Sequence, residues 1–239
     1  MNIHDDGTSV SVTATLLARM LQFGDSMFPI GGFSFSGGLE SAIQQRVVTD
    51  ISSLHEFTRT AVEQAARGDG IAIVCAHRAA LAGDIAELLR IDARVHARKL
   101  SGETRAMSTK MGRKFTELGA HVTGTATMHD WRDRVQSGTT PGCYPVALAI
   151  HFAAMGLSAR DAFVVHHYGV ISTILGAALR LMRISHVDTQ SLLFKLTADV
   201  DTPYVAAAAA TLDDMAGFAP LADILAAVHV KAHVRLFMN

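Results

Sequence analysis

The sequence predicts an all-α protein built as a single-domain helical bundle, and three observations carry that expectation. Apolar residues recur at helical spacing along most of the chain, and no stretch alternates apolar and polar residues as a half-buried strand does. Alanine is abundant while aromatic residues make up only 6%, which suits close helix packing better than a β-sandwich. Helix-opening patterns recur, with Ser53-x-x-Glu56, Asp84-x-x-Glu87 and Ser158-x-x-Asp161 each placing an acceptor ahead of a first helical turn. With no low-complexity linker and no fixed-period repeat, residues 13–239 read as one domain behind a loose tail, residues 1–12.

Taken in order, residues 13–22 place Leu16, Leu17, Met20 and Leu21 on one helical face. A glycine- and serine-rich loop follows, then a short helix over about residues 38–47. Ser53-x-x-Glu56 opens a helix expected to stop at Gly68-Asp69-Gly70. Residues 71–81 form an apolar helix ended by Gly83. Asp84 starts the next, with a face of Ile85, Leu88, Leu89, Ile91 and Val95. Residues 101–118 make a more polar helix. Its Arg105, Lys110, Arg113 and Lys114 form a basic face, read as solvated rather than as a dock for an acidic partner.

Between residues 119 and 142 one helix is expected, around 128–135, before the loop Ser137-Gly138-Thr139-Thr140-Pro141-Gly142. Pro145 suits a helix start, and that helix runs to Gly156. Residues 162–182 are the longest apolar element. They approach membrane-span length, but His166, His167, Ser172 and Thr173 interrupt them, so a central buried helix is expected. An amphipathic helix over 185–200, an alanine-rich one from Pro203 and a last one from Leu221 complete the chain.

Hydrophobic residues at 49% and charged ones at 18% indicate an ordered globular chain. Its 21 Lys and Arg against 22 Asp and Glu leave a net charge of −1, which gives no general attraction to nucleic acid or to an anionic membrane. Cys75 and Cys143 are too few for a disulfide scaffold, so a reduced, cytoplasmic setting is expected. The first residues are acidic and polar, unlike a signal peptide.

The chain is organised around Phe28-Pro29-Ile30-Gly31-Gly32-Phe33-Ser34-Phe35-Ser36-Gly37-Gly38-Leu39-Glu40. Pro29 fixes its own φ and restricts Phe28, while Gly31 and Gly32 permit angles that a Cβ disfavours. Phe28, Ile30, Phe33 and Phe35 are too apolar to lie free together, so some of them should pack on the body. Ser34 or Ser36 is placed to cap the helix near Leu39, with Glu40 in its first turn. Three catalytic motifs fail here. A phosphate loop needs Lys-Ser/Thr after the last glycine, where Leu39-Glu40 stands. The spacing does not match G-x-G-x-x-G, and neither Ser34 nor Ser36 sits in G-x-S-x-G.

Twelve histidines invite a metal hypothesis. His229-x-x-x-His233 puts two imidazoles on one helical face, a half-site for nickel or zinc. It lacks the glutamate of H-E-x-x-H, and two surface histidines near a helix end are the favoured account. His166 and His167 diverge by about 100° around a helix and cannot clamp one ion, so one should pack inside and the other face a partner. Cys143, alone before Pro145, is expected to be inert. No pair of carboxylates and no activated nucleophile stands out, so no catalytic residue is assigned.

Pro29-x-Gly31-Gly32-Phe33-Ser34-x-Ser36-x-Gly38-Leu39-Glu40 resembles the N-terminal signature of the urease accessory protein UreF family. Further stretches fall in family order: Glu103-Thr104-Arg105-x-x-Ser108-x-x-Met111-Gly112, Gly142-Cys143-Tyr144-Pro145-Val146-Ala147, Asp188-x-Gln190 and the terminal Arg235-Leu236-Phe237. The chain departs from the family where many relatives carry His-Glu-x-Gln before that ending. Here His229-Val230-Lys231-Ala232 keeps only the histidine.

The resemblance implies an all-α, homodimeric, non-enzymatic scaffold. Such a scaffold works with a UreD/UreH partner and the GTPase UreG to load nickel into apo-urease, and it regulates the GTPase. It implies no stably bound cofactor, with nickel handled by the complex. Partner contact is expected at Pro29, Gly31, Gly32, Phe33, Ser34, Ser36, Gly38, Glu40, Arg105, His229, Arg235 and Phe237. The alternatives are a paralog serving another metalloenzyme, or a helical metal-binding protein using His229 and His233.

Overall fold

Eleven α-helices and no strand occur among residues 13–216 and 236–237, the part of the chain that the computed structural model describes. They are α1 (Ala14–Gly24), α2 (Leu39–Gln44), α3 (Ile51–Ala65), α4 (Ile71–Ala82), α5 (Ile85–Arg98), α6 (Gly102–Thr123), α7 (Ala126–Gln136), α8 (Tyr144–Ala154), α9 (Ala159–Leu181), α10 (His186–Leu196) and α11 (Asp201–Ala209). The all-α bundle expected from the pattern is the observed fold. The helix expected from Leu221 lies outside the described residues.

The caps follow from the side chains that precede each helix. Asp84 accepts the Glu87 N–H, and Ser101 that of Thr104. Ser158 with Asp161 and Ser185 with Asp188 close reciprocal capping boxes, each satisfying two N–H groups that the first turn leaves free. At α3 the box lies three residues earlier than expected. Asp50 is the cap and Ser53 its reciprocal partner, so Ser53-x-x-Glu56 is not the opening pair. The carboxylate is the stronger acceptor, and Glu56 instead pairs with Arg59.

Gly68-Asp69-Gly70 does not end a helix. The chain passes from α3 to α4 through a π turn, Ala66–Gly70. Gly70 serves packing there: a Cβ would lie 2.5 Å from the Phe163 ring of α9. The π turn widens the helix and turns Asp69 inward, where its carboxylate meets the Lys99 ammonium at 2.7 Å and His166 at 3.6 Å. Burial pushes the Asp69 carboxyl up, but Lys99 and His166 outweigh it and hold the group well below the ordinary carboxylate range.

Two apolar clusters make the core. The larger surrounds α8, which is buried on every side from Pro145 to Ala153 and packs against α4, α6, α7 and α9. The smaller gathers the far half of α9 (Ile171, Ile174, Leu175, Ala177, Ala178) with α2, α3, α10 and Phe237. α9 runs through both. It alone among the described helices has the length and composition to cross a membrane, yet it is packed by α1, α2, α3, α4, α8, α10 and α11. His166 and His167 are both buried in it, at 7% and 6% exposure, so neither is turned outward as expected.

Candidate functional site

The glycine-serine loop is held in one shape. Gly31, Gly37 and Gly38 have φ of 81°, 63° and 85°, values that favour glycine, and Gly32–Ser34 forms a 3-10 turn between them. Gly32 itself needs no special angle. A Cβ there would meet only Met111 at 3.6 Å and Thr173 at 4.0 Å, so the conformational demand falls on its neighbours. Phe35 is buried, and Phe28 packs edge-on to Phe23 and Phe115. Phe33 remains 75% exposed at the crest, with Met27 exposed before it and Leu17 and Leu21 exposed on α1. Exposed apolar side chains also occur elsewhere, Phe194 on α10 and Leu81 on α4 among them, so what sets Phe33 apart is the fixed loop that presents it.

Behind that crest the loop meets the other end of the chain. Ser36 accepts the Glu40 N–H at 3.4 Å, so it, rather than Ser34, steadies the start of α2. The Glu40 carboxylate, 4% exposed, accepts the backbone N–H groups of Leu236 and Phe237 at 2.8 and 3.1 Å. Phe237 is itself 4% exposed, and the Arg180 guanidinium lies 4.0 Å above its ring. Arg180 also donates to the Phe33 carbonyl at 2.7 Å. One arginine at the end of α9 therefore holds both the crest of the loop and the chain end. Of the residues expected at the partner surface, Phe33 is outward, while Ser36, Glu40 and Phe237 are buried supports. His229, His233 and Arg235 lie outside the described residues.

The remaining motif residues lie elsewhere and close internal joints. Arg105 donates to the carbonyls of Lys99 and Leu100 at 2.6 and 3.3 Å, fixing the turn from α5 into α6. Arg113 reaches the Pro141 carbonyl, and Lys114 pairs with Glu117. The basic face of α6 is thus largely spent within the chain. Gly112 lets the loop before α8 touch the α6 backbone: a Cβ would sit 2.1 Å from the Gly142 carbonyl oxygen.

That same loop is tied to α5 by Asp92, which sequence reading did not single out. Its fully buried carboxylate accepts from the Thr140 hydroxyl at 2.5 Å, the Gly142 N–H at 2.7 Å and the Cys143 N–H at 2.8 Å. Burial, reinforced by Asp92, pushes the Cys143 thiol well above its ordinary range, so it stays protonated. The only sequence signal for Asp92 is a lone acid on the apolar face of α5. Among the described residues no group of three or more His, Cys, Asp or Glu side chains is arranged to hold a metal ion.

The fold and the junction define a helical-bundle protein whose distinctive surface is an apolar loop braced by the chain's own C-terminal residues. A family model for UreF matches residues 48–197. The chain is 55% identical over 223 residues to urease accessory protein UreF 2 of Brucella canis, covering 93% of this chain and 92% of the relative, and equally so to that of Brucella abortus. It is 47% identical over 228 residues to urease accessory protein UreF of Yersinia enterocolitica, covering 95% of this chain and 100% of the relative. The chain belongs to the urease accessory protein UreF family. A match of 223 residues leaves only 239 − 223 = 16 outside it, so the loop at residues 28–40 is included.

Proposed function

We propose that this urease accessory protein is a scaffold that joins a UreD/UreH-like partner and a UreG-like GTPase and promotes nickel insertion into apo-urease. It acts as a homodimer, regulates the GTPase, and performs no catalysis of its own. Nickel is cargo of the assembled complex rather than a resident cofactor of this chain. The observation that carries the reading is the exposed Phe33 on a loop fixed by Arg180, with Glu40 anchoring the chain end behind it. An aromatic side chain presented on a rigid support loses little entropy when a partner covers it, which is how interface anchors work.

Co-expression with the UreD/UreH-like and UreG-like proteins, followed by size exclusion with light scattering, tests the proposal. A stable complex containing two copies of this chain is expected. A chain that elutes free of both partners at micromolar concentration would contradict it.

A further inference from the structure

α1 turns Leu16, Met20 and Phe23 toward the bundle, and of these only Phe23 is fully buried. The Phe23 ring stands edge-on to the imidazole of His151 on α8, with centroids 4.2 Å apart and planes at 70°. Phe115 packs on both rings, and Phe28, at the root of the loop, packs on Phe23 and Phe115. His151 has no exposed surface, and among the described residues neither its Nδ1 nor its Nε2 has a hydrogen-bond partner.

The rings around this imidazole are Phe23 from α1, Phe115 from α6 and Phe152 from α8, and α6 faces it with Gly119; Phe28 and Tyr144 pack on Phe115 one contact further out. Of these only the Tyr144 phenol titrates, and burial pushes it up and keeps it neutral. A neutral imidazole is tolerated in such a cage. An imidazolium would bring a full charge and two donors into a site where the described residues offer them no acceptor, so it must be hydrated to form. Hydration requires one wall to move. α6 and α8 are central to the bundle, whereas α1 is the first of the described helices, rests mainly on α9 and has one fully buried side chain. Local opening draws on the element with the least buried surface.

We infer that His151 and Phe23 form an acid-released latch, in which protonation of His151 accompanies withdrawal of Phe23 and frees α1 together with the root of the loop. The effect on partner binding rests on the loop's proposed role, but the latch itself does not. Burial holds the closed imidazole down to about 4, against 6.5 for the hydrated ring. Linkage between those values raises the opening equilibrium about thirtyfold between pH 8 and pH 5.

The test is hydrogen exchange of the α1 amides in the partner-free full chain at pH 8 and pH 5, corrected for intrinsic rates. In the wild type, α1 protection should fall about thirtyfold at pH 5. In His151→Phe it should be the same at both values. Phe23→Ala, which removes the other half of the latch without touching α8, should leave α1 weakly protected at both. Equal protection at the two pH values in the wild type would overturn the latch, as would an undiminished fall in either variant. Because no partner is present, neither result depends on whether the scaffold role is correct.

Discussion

The carboxylate of Glu40 holds the backbone N–H groups of Leu236 and Phe237, joining the first turn of α2 to residues almost two hundred positions away. The bond is local chemistry with a long reach. Glu40 sits where a helix N-terminus favours an anion, and the chain end supplies two backbone donors, of which that of the buried Phe237 would otherwise be unpaired.

Glu40→Ala should release that end while leaving the bundle folded. Digestion by a carboxypeptidase should remove residues beyond 235 at least tenfold faster in the variant, with the far-ultraviolet circular dichroism unchanged. Charge-assisted bonds of this kind contribute about 1.5–3 kcal/mol each, enough for that change.

Arg180→Lys should behave as a loss, not as a conservative exchange. A guanidinium can lie flat on the Phe237 ring and still donate to the Phe33 carbonyl, whereas an ammonium is a compact point charge that serves one of them. The variant is expected to resemble Arg180→Ala in partner affinity, measured by titration calorimetry, and to differ from it little in melting temperature.

Two loop glycines separate conformation from space. Gly38→Ala forces a Cβ onto a φ of 85°, costing about 1–2 kcal/mol and lowering the melting temperature by about 2–8 °C. Gly32→Ala has ordinary angles and room, so calorimetry should find it within about 2 °C of the parent.

Stability should fall on the acid side. His151 and His167 are both held by burial to about 4 when folded, against 6.5 unfolded. Between those values the unfolded chain binds protons that the folded chain does not, so stability is lost as pH falls through that window. Each group accounts for up to about 3 kcal/mol. Asp69, depressed in the folded state, adds a further loss below its unfolded value of 3.8. Urea unfolding at pH 7.5 and pH 5 should give a clearly lower midpoint at the lower pH.

Much of this was legible in the residues. Capping patterns and apolar spacing located α5, α8, α9 and α10 because those signals are local, and Ser158 and Asp161 act where the pattern placed them. The π turn was not legible, since Gly68-Asp69-Gly70 reads as a stop until Phe163 is seen filling the space beside Gly70. The loop announced itself by composition, but composition does not say which of its aromatic residues turns out, Phe33 being exposed and Phe35 buried. Asp92 shows in the sequence only as a lone acid on an apolar face, because its three partners lie about fifty residues away. Arg180 was missed for the same reason, since its contacts come from the two ends of the chain.

The most direct measurement compares wild type with Phe33→Asp, titrated by calorimetry against the purified UreD/UreH-like and UreG-like partners. Phe33 is exposed, so the variant should keep the parent's melting temperature. If the loop is the contact surface, affinity should fall by tenfold or more, as expected for an anchor worth at least about 1.4 kcal/mol. Equal affinities for both partners in a folded Phe33→Asp would contradict the account.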